Sequence, residues 1–146
     1  MPINAKILGY LGLIPFIFFA LHELLSLNLL TSMQASMGFI QYSAIILSFF
    51  GGVHWYQALC EPKNNHQIYV AMLPSIVAWS SLFLFDIKIT LFVLSVSYLL
   101  ILMYDKFTLS LPKTIIIEYT KMRLVLTTVV ISCHFGLLIS IKMVSY

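Results

Sequence analysis

Charged residues are scarce in this chain. They make up 9% of its 146 residues, whereas a soluble domain has about 25%. Hydrophobic residues make up 61%, and uncharged runs long enough to cross a bilayer recur along the chain. A soluble domain of this length would have to hide all of that apolar surface in one core. The composition therefore favours an all-α membrane protein with a single domain over an unusually apolar soluble helical domain.

Sequence motifs that carry chemistry are also missing. The basic residues form no run, which argues against binding to nucleic acid. Cys60 and Cys133 lack metal-binding spacing, and we expect free thiols. No Ser-His-Asp order, HExxH motif or pair of intramembrane carboxylates appears. By helix rise, His54, His134 and His22 would lie about 8, 17 and 22 Å from the inner ends of their spans, which argues against a bis-histidine haem. We therefore expect no enzyme activity, no metal and no cofactor.

Five apolar segments are predicted to form a single bundle of membrane-spanning helices. We place them at residues 7–25, 36–59, 68–85, 89–104 and 123–141. The run Ile7–Leu21 also has the length of a signal-peptide core, but Pro15 interrupts it and no clear cleavage site follows. Pro15 should kink the first span. The polar stretch Cys60–Gln67 reads as a loop, with Pro62 ending the helix before it. The mixed apolar and polar end of the connection 105–122, after the start signal Pro112, suits a helix at the membrane interface.

Basic residues are divided unequally between the two ends of the predicted bundle. One end would hold Lys6, Lys63, Lys106, Lys113, Lys121 and Arg123, and the other only Lys88 and Lys142. Because Lys and Arg are enriched in cytoplasmic loops, we predict a cytoplasmic N-terminus and an external C-terminus.

Polar residues gather at the predicted inner ends of three spans. They are His54, Trp55, Gln57, Tyr104, Asp105, Tyr119 and Arg123. The planar fork of Arg123 suits a carboxylate, so Asp105 is its expected partner. The pair either closes the inner end of the bundle or belongs to a polar pocket open to the cytoplasm. In that pocket, Arg123 and His54 would face an anionic lipid head group or an acid of a partner. At the outer end, His22 and Glu23 are expected to be solvated.

Small residues recur every four positions on two spans. The predicted helix-packing set is Ala44, Ser48, Gly51 and Gly52 on the second span and Thr128, Ser132 and Gly136 on the fifth. Residues four apart share one face of a helix, and small side chains let two backbones approach closely. We therefore expect these faces to contact another helix rather than lipid.

Four blocks of the sequence resemble the domain-of-unknown-function family 3429 (transmembrane protein 69-like). They lie at Gly12–Phe16, Ile46–Trp55 and Leu73–Trp79 and in the run from Leu111 to Thr127. The Gly-Gly-Val-His-Trp sequence that ends at Trp55 is the most specific. The family's Trp-Tyr pair after Leu-Pro is absent, and only Tyr119 remains. The resemblance implies a small multi-pass protein of the bacterial inner membrane, with the mitochondrial inner membrane as the alternative, and it implies no reaction.

Two functional classes remain. The first is a non-enzymatic accessory, assembly or docking component, embedded in lipid and held in a larger membrane complex or a homo-oligomer. The second is a small transporter or channel with a cytoplasm-facing polar pocket. A transporter usually shows internal repeats and polar residues near the midplane of the bilayer. This chain has no repeat and mostly aliphatic midplanes, so the first class leads.

Overall fold

The computed structural model describes residues 1–60, 65–109 and 113–144, and within these ranges it is helical and contains no strand. The helices are α1 (Ile3–Leu11), α2 (Ile14–Leu24), α3 (Ser32–Cys60), α4 (Asn65–Ser81), α5 (Ile87–Thr108) and α6 (Lys113–Val144). Among the described residues, four segments are long and apolar enough to cross a membrane: Ile3–Leu24, Ser32–Cys60, Ile87–Thr108 and Ile115–Ile141. The chain is therefore an all-α, multi-pass membrane protein.

The remaining predicted span, 68–85, coincides with α4, which has 17 residues and is not among those four segments. Pro62, Lys63 and Pro112 lie outside the described residues. The predicted loop was too long at its second end, because Gln67 already belongs to α4. Its side chain is buried there and donates a hydrogen bond to Gln57 of α3, so its amide is satisfied without contact with water.

The first predicted span consists of two helices rather than one kinked helix. α1 ends at Leu11, and α2 begins at Ile14, so that Pro15 lies in the first turn of α2. A proline ring would clash with the carbonyl group four residues earlier, and the helix therefore ends before the proline. In a first helical turn the missing amide donor has no cost. The Tyr42 hydroxyl of α3 donates a 2.9 Å hydrogen bond to the Gly12 carbonyl oxygen, which fastens the break to the bundle.

The turn between α2 and α3 is held by two residues that were expected to be solvated. His22 is buried, and its Nε2 accepts a 3.1 Å hydrogen bond from the amide of Leu30. The Ser32 hydroxyl donates to the Glu23 carboxylate at 2.6 Å. The expectation was wrong because both side chains accept hydrogen bonds within the turn. Backbone amides between two helices have no partner within a helix, and His22 accepts from one of them.

Helix α6 runs without interruption from Lys113 to Val144. The predicted connection 105–122 therefore contains no separate interfacial helix. Its beginning completes α5 as far as Thr108, and its end is the start of α6. Arg123 consequently lies ten residues after the first residue of α6, about 15 Å along the helix axis, rather than at the beginning of a span.

The two long helices α3 and α6 organise the bundle. α3 packs against α2, α4 and α5, whereas α6 packs against α1, α2 and α5. The fully buried leucines between them come from three helices: Leu47, Leu91, Leu94 and Leu137. This arrangement brings together the last turns of α3 and α5, the first turn of α4 and the first half of α6.

Only part of the predicted packing face of α3 contacts another helix. Ala44 and Gly51 are buried. A Cβ atom at Gly51 would overlap the carbonyl oxygen of Ala71 and lie 3.5 Å from the Pro74 ring, so α3 and α4 meet closely there. Gly52 is exposed, and nothing lies within 4 Å of a Cβ atom built on it. Gly52 therefore does not pack within the bundle, because neighbouring residues of a helix face directions about 100° apart.

The predicted face of α6 also turns away from the bundle for most of its length. Thr128 and Ser132 are exposed, and their hydroxyls donate to the carbonyl groups four residues earlier. A hydroxyl satisfied by its own helix needs no partner helix, so the prediction was wrong for these two residues. Gly136 is half-buried beside Leu24, and Ser48 on α3 is half-buried with its hydroxyl bonded to the Ala44 carbonyl.

Candidate functional site

A buried His–Asp–Arg cluster joins three helices near one end of the bundle. The Asp105 carboxylate, in the last turn of α5, lies between the side chains of His54 and Arg123. Its Oδ1 is 2.7 Å from His54 Nε2, and its Oδ2 accepts a 2.6 Å hydrogen bond from Arg123 Nε. All three side chains are buried, with His54 fully so. The cluster therefore holds α3, α5 and α6 in one register through charge-assisted hydrogen bonds.

A glutamine of α4 completes the cluster on the side of His54. The Gln67 amide nitrogen lies 3.4 Å from His54 Nδ1 and donates a 3.2 Å hydrogen bond to Gln57 Oε1. The Gln67 amide nitrogen, a donor, faces Nδ1 of His54, and the Asp105 carboxylate, an acceptor, faces Nε2. The same carboxylate contacts the Arg123 guanidinium, so the charge of Arg123 has a counter-ion within the cluster.

Arg123 uses only a small part of its hydrogen-bonding capacity. A guanidinium has five N–H donors, and only that on Nε has an acceptor among the described residues. Both Nη1 and Nη2 are buried without a partner. The guanidinium carbon lies 3.4 Å from the centroid of the Phe50 ring. Cation–π attraction to this ring stabilises the charge, but it leaves four N–H groups unpaired.

The structure brings together most of the predicted polar residues but encloses them. Gln57 reaches the cluster through Gln67, and the Tyr104 ring lies 4.9 Å from the His54 ring. The Tyr104 hydroxyl is buried without a partner. Trp55 is exposed, 41% of its surface being accessible, and takes no part. Including Trp55 in the site was wrong, because its side chain points about 100° away from that of His54, the residue before it on the helix.

An apolar cavity of about 630 Å³ lies beside the cluster. Its walls come from α1, α2, α3 and α6, with Tyr98 from α5, and Tyr119 and Arg123 are among the lining residues. Arg123 therefore forms a boundary between the polar cluster and this cavity. Among the described residues, the predicted polar site is a buried cluster with an apolar space beside it.

A second buried polar cluster lies around His134, and sequence reasoning missed it as a group. Its Nε2 is 3.0 Å from the Ser43 hydroxyl, and its Nδ1 is 2.6 Å from the Ser95 hydroxyl. The Tyr98 hydroxyl donates a 2.8 Å hydrogen bond to the Ser43 carbonyl oxygen. An ionisable residue in the middle of a span signals such a polar contact. This cluster ties α3, α5 and α6 together a second time.

Other contributors to the first cluster were also missed. Gln67 was assigned to a loop, and Phe50 looks like an ordinary residue of an apolar helix. A signal for Phe50 was present, because it lies four residues before His54 on the same face of α3. Within the described ranges, no group of three or more His, Cys, Asp or Glu residues is placed to hold a metal ion.

Comparison with known families gives one match. A family model described as "Protein of unknown function (DUF3429)" matches residues 1–139. No curated protein and no solved structure matches the chain.

Proposed function

We propose that this chain, which belongs to the DUF3429 family of proteins of unknown function, is a non-enzymatic membrane component that docks on a partner helix within the bilayer. The observation that carries the proposal is the outer face of α3. Gly52 is exposed with open space beside it, and Ser48 lies one turn earlier on the same face. Small residues on a lipid-facing surface let a second backbone approach closely.

A shallow groove marks where the partner helix would lie. It runs along α3 past Ser48 and is bordered by Trp79 and Leu82 from the end of α4 and the turn that follows it. The Trp79 ring at one side of the groove and the small side chain of Ser48 at its base suit an apolar helix with small or aliphatic side chains at the contact. Lipid tails fill such a groove poorly, because packing between helices in a membrane depends on close van der Waals contact. The partner is a helix of a larger membrane complex, and a second copy of this chain is the alternative.

The proposed arrangement in the membrane has five spans, with the N-terminus in the cytoplasm of a bacterial inner membrane. The mitochondrial inner membrane is the alternative, with the matrix in place of the cytoplasm. The fifth span in this count is α4, whose 17 residues measure about 26 Å. The exposed aromatic rings of Phe83 and Phe85 follow it. They lengthen the apolar segment toward the roughly 30 Å core of a bilayer.

The docking proposal is tested by comparing Gly52→Leu with Val96→Leu after gentle detergent extraction. Val96 is an exposed residue of α5 outside the groove, so its variant controls for added lipid-facing bulk. We expect Gly52→Leu to abolish co-purification of the partner while the thermal unfolding of the isolated protein stays unchanged. A Gly52→Leu variant that keeps its partner at the normal ratio would contradict the proposal.

A second candidate function is transport, and one observation favours it. His54, Asp105 and Arg123 form a chain of ionisable side chains inside candidate membrane spans, and such residues often mark pathways for ions or solutes. Purified protein in phosphatidylcholine vesicles would then carry protons or small anions, and the double variant Asp105→Asn/Arg123→Met, which is expected to keep its fold, would lose that flux. If the vesicles show no flux and Gly52→Leu loses its partner, docking remains as the supported function and transport is excluded.

A further inference from the structure

The apolar cavity beside Arg123 is lined in part by side chains that are exposed on the outside of the bundle. They include Leu8 of α1 and Phe49 of α3. Both belong to candidate membrane spans, so this side of the cavity is the side from which a molecule dissolved in the bilayer would enter. Its volume of about 630 Å³ lies within the range of roughly 300–1,000 Å³ found for small-molecule sites.

Two buried polar side chains in the wall of this cavity lack partners. Arg123 and Thr127 both line it and are both 2% exposed. Nη1 and Nη2 of Arg123 and Oγ1 of Thr127 have no hydrogen-bond partner among the described residues. The two residues are one helical turn apart on α6, so their free donors face the same region of the cavity. Thr128, in contrast, donates to the Leu124 carbonyl oxygen.

The unpaired donors define the chemistry of the missing partner. They are N–H and O–H groups, so they require acceptor oxygens. Burying a donor without an acceptor is destabilising, and no acceptor among the described residues bonds to these donors. Since Asp105 already balances the charge of Arg123, the partner needs oxygen acceptors but no net charge. The remaining walls require an apolar body.

The geometry points to a binding site for an amphiphile that enters from the bilayer and has one apolar chain and a carbonyl-type head. Its head oxygens accept hydrogen bonds from the Arg123 fork and the Thr127 hydroxyl, and its chain lies along the apolar wall formed with α1 and α2. A long-chain carboxylic acid and its neutral ester share this head chemistry. This site does not depend on the docking function, because neither Gly52 nor any residue of the groove beside Ser48 lines the cavity.

The site is tested by photolabelling the full chain in phosphatidylcholine nanodiscs. The probe is hexadecanoic acid with a diazirine in its chain, and mass spectrometry locates the labelled peptides. We expect label on cavity residues such as Phe16 and Leu126 in excess of label on Leu99 and Leu100, which are exposed on α5. Labelling that follows lipid exposure alone would overturn the proposal.

Competition by unlabelled molecules identifies the head group. Hexadecanoic acid should displace the probe, whereas hexadecane and hexadecylamine should not, because neither supplies a carbonyl acceptor. If methyl hexadecanoate competes as well as the acid, the site recognises a neutral carbonyl. If the ester competes poorly, the site recognises a carboxylate. Equal competition by hexadecane would mean that no head is recognised, and the proposal would fail.

A matched pair of variants separates head recognition from folding. Thr127→Val removes the hydroxyl in the cavity with little change of shape, and Thr128→Val removes a neighbouring hydroxyl outside it. Losing one hydrogen bond should make the acid roughly fivefold weaker as a competitor in Thr127→Val, with no change in Thr128→Val. Equal competition in both variants would contradict the assigned contact, and thermal unfolding of each variant verifies that the bundle is intact.

Discussion

Arg123 is the side chain on which the buried cluster depends. Its Nε donates to Asp105, and its face lies on Phe50. A desolvated cation–π contact contributes about 2 kcal/mol. A buried ion pair adds little over an apolar pair of the same shape, but removing one partner leaves an uncompensated charge in the interior. The cluster is therefore more sensitive to loss of one charge than to loss of both.

The cluster predicts a strongly non-additive pair of substitutions. Asp105→Asn should lower the free energy of unfolding by about 3–5 kcal/mol, because it leaves the Arg123 charge buried and unpaired. The double variant Asp105→Asn/Arg123→Met should recover most of that loss, since neither charge of the ion pair remains. Unfolding of the purified proteins by increasing denaturing detergent measures both effects. A double variant less stable than Asp105→Asn would show that the charge balance is not what holds the cluster.

The sequence indicated the central pair of this site but not its surroundings. Asp105 and Arg123 were expected to be close because a carboxylate and a guanidinium lay at the predicted inner ends of adjacent spans, and they are in contact. Their burial was not predictable, because it depends on how α3 and α4 close over them. Gln67 was missed because the loop was extended to it, and Thr127 because a single polar residue within an apolar helix carries no periodic signal.

At the scale of elements, the contact between α3 and α4 is set by one glycine and one proline. Pro74 removes a backbone donor inside α4, and Gly51 places the α3 backbone against the Ala71 carbonyl oxygen. A glycine is required at this position because any Cβ atom would overlap that oxygen. Gly52, next to it, has no such neighbour. The adjacent glycines therefore have different roles, one within the bundle and one on its outer face.

Alanine substitutions at the two glycines should have opposite effects on stability. Gly51→Ala should lower the free energy of unfolding by about 1–3 kcal/mol, the usual cost of overpacking a well-packed contact. Gly52→Ala should leave it unchanged or raise it by up to about 1 kcal/mol, because alanine favours an exposed helix more than glycine does. Thermal unfolding in detergent measures both variants. A Gly52→Ala variant that is less stable than Gly51→Ala would refute this assignment of the glycines.

The existence of the helices was predictable from hydropathy, but their ends were not. The predicted spans overlap the helices of the structure, since apolar runs of bilayer length are a strong signal. The break before Pro15 and the unbroken α6 were missed for a common reason. Where a helix starts or stops depends on backbone partners, such as the Tyr42 hydroxyl on the Gly12 carbonyl oxygen, that are distant in the sequence.

For the whole molecule, charge is concentrated at the end of the bundle that holds the start of α6. There Glu118 binds both the amino group of Met1, at 2.7 Å, and Lys6, at 2.9 Å. Lys121 follows on the same helix. At the opposite end of α5, Asp86 caps the helix by accepting from the Lys88 amide. The proposed cytoplasmic position of the first end rests on its positive residues, because Lys and Arg are enriched in cytoplasmic loops.

The five-span arrangement is tested by fusing a reporter at three positions. If α4 crosses the membrane, a chain cut after Phe85 ends outside, and one cut after Thr108 ends in the cytoplasm beside Lys106. The full chain, ending after Tyr146, should finish outside. If α4 does not cross, all three assignments reverse. Alkaline phosphatase, which is active only outside, and green fluorescent protein, which fluoresces only inside, should therefore give complementary signals. Green fluorescence from the Phe85 fusion, together with phosphatase activity from the Thr108 fusion, would exclude α4 as a span and leave four.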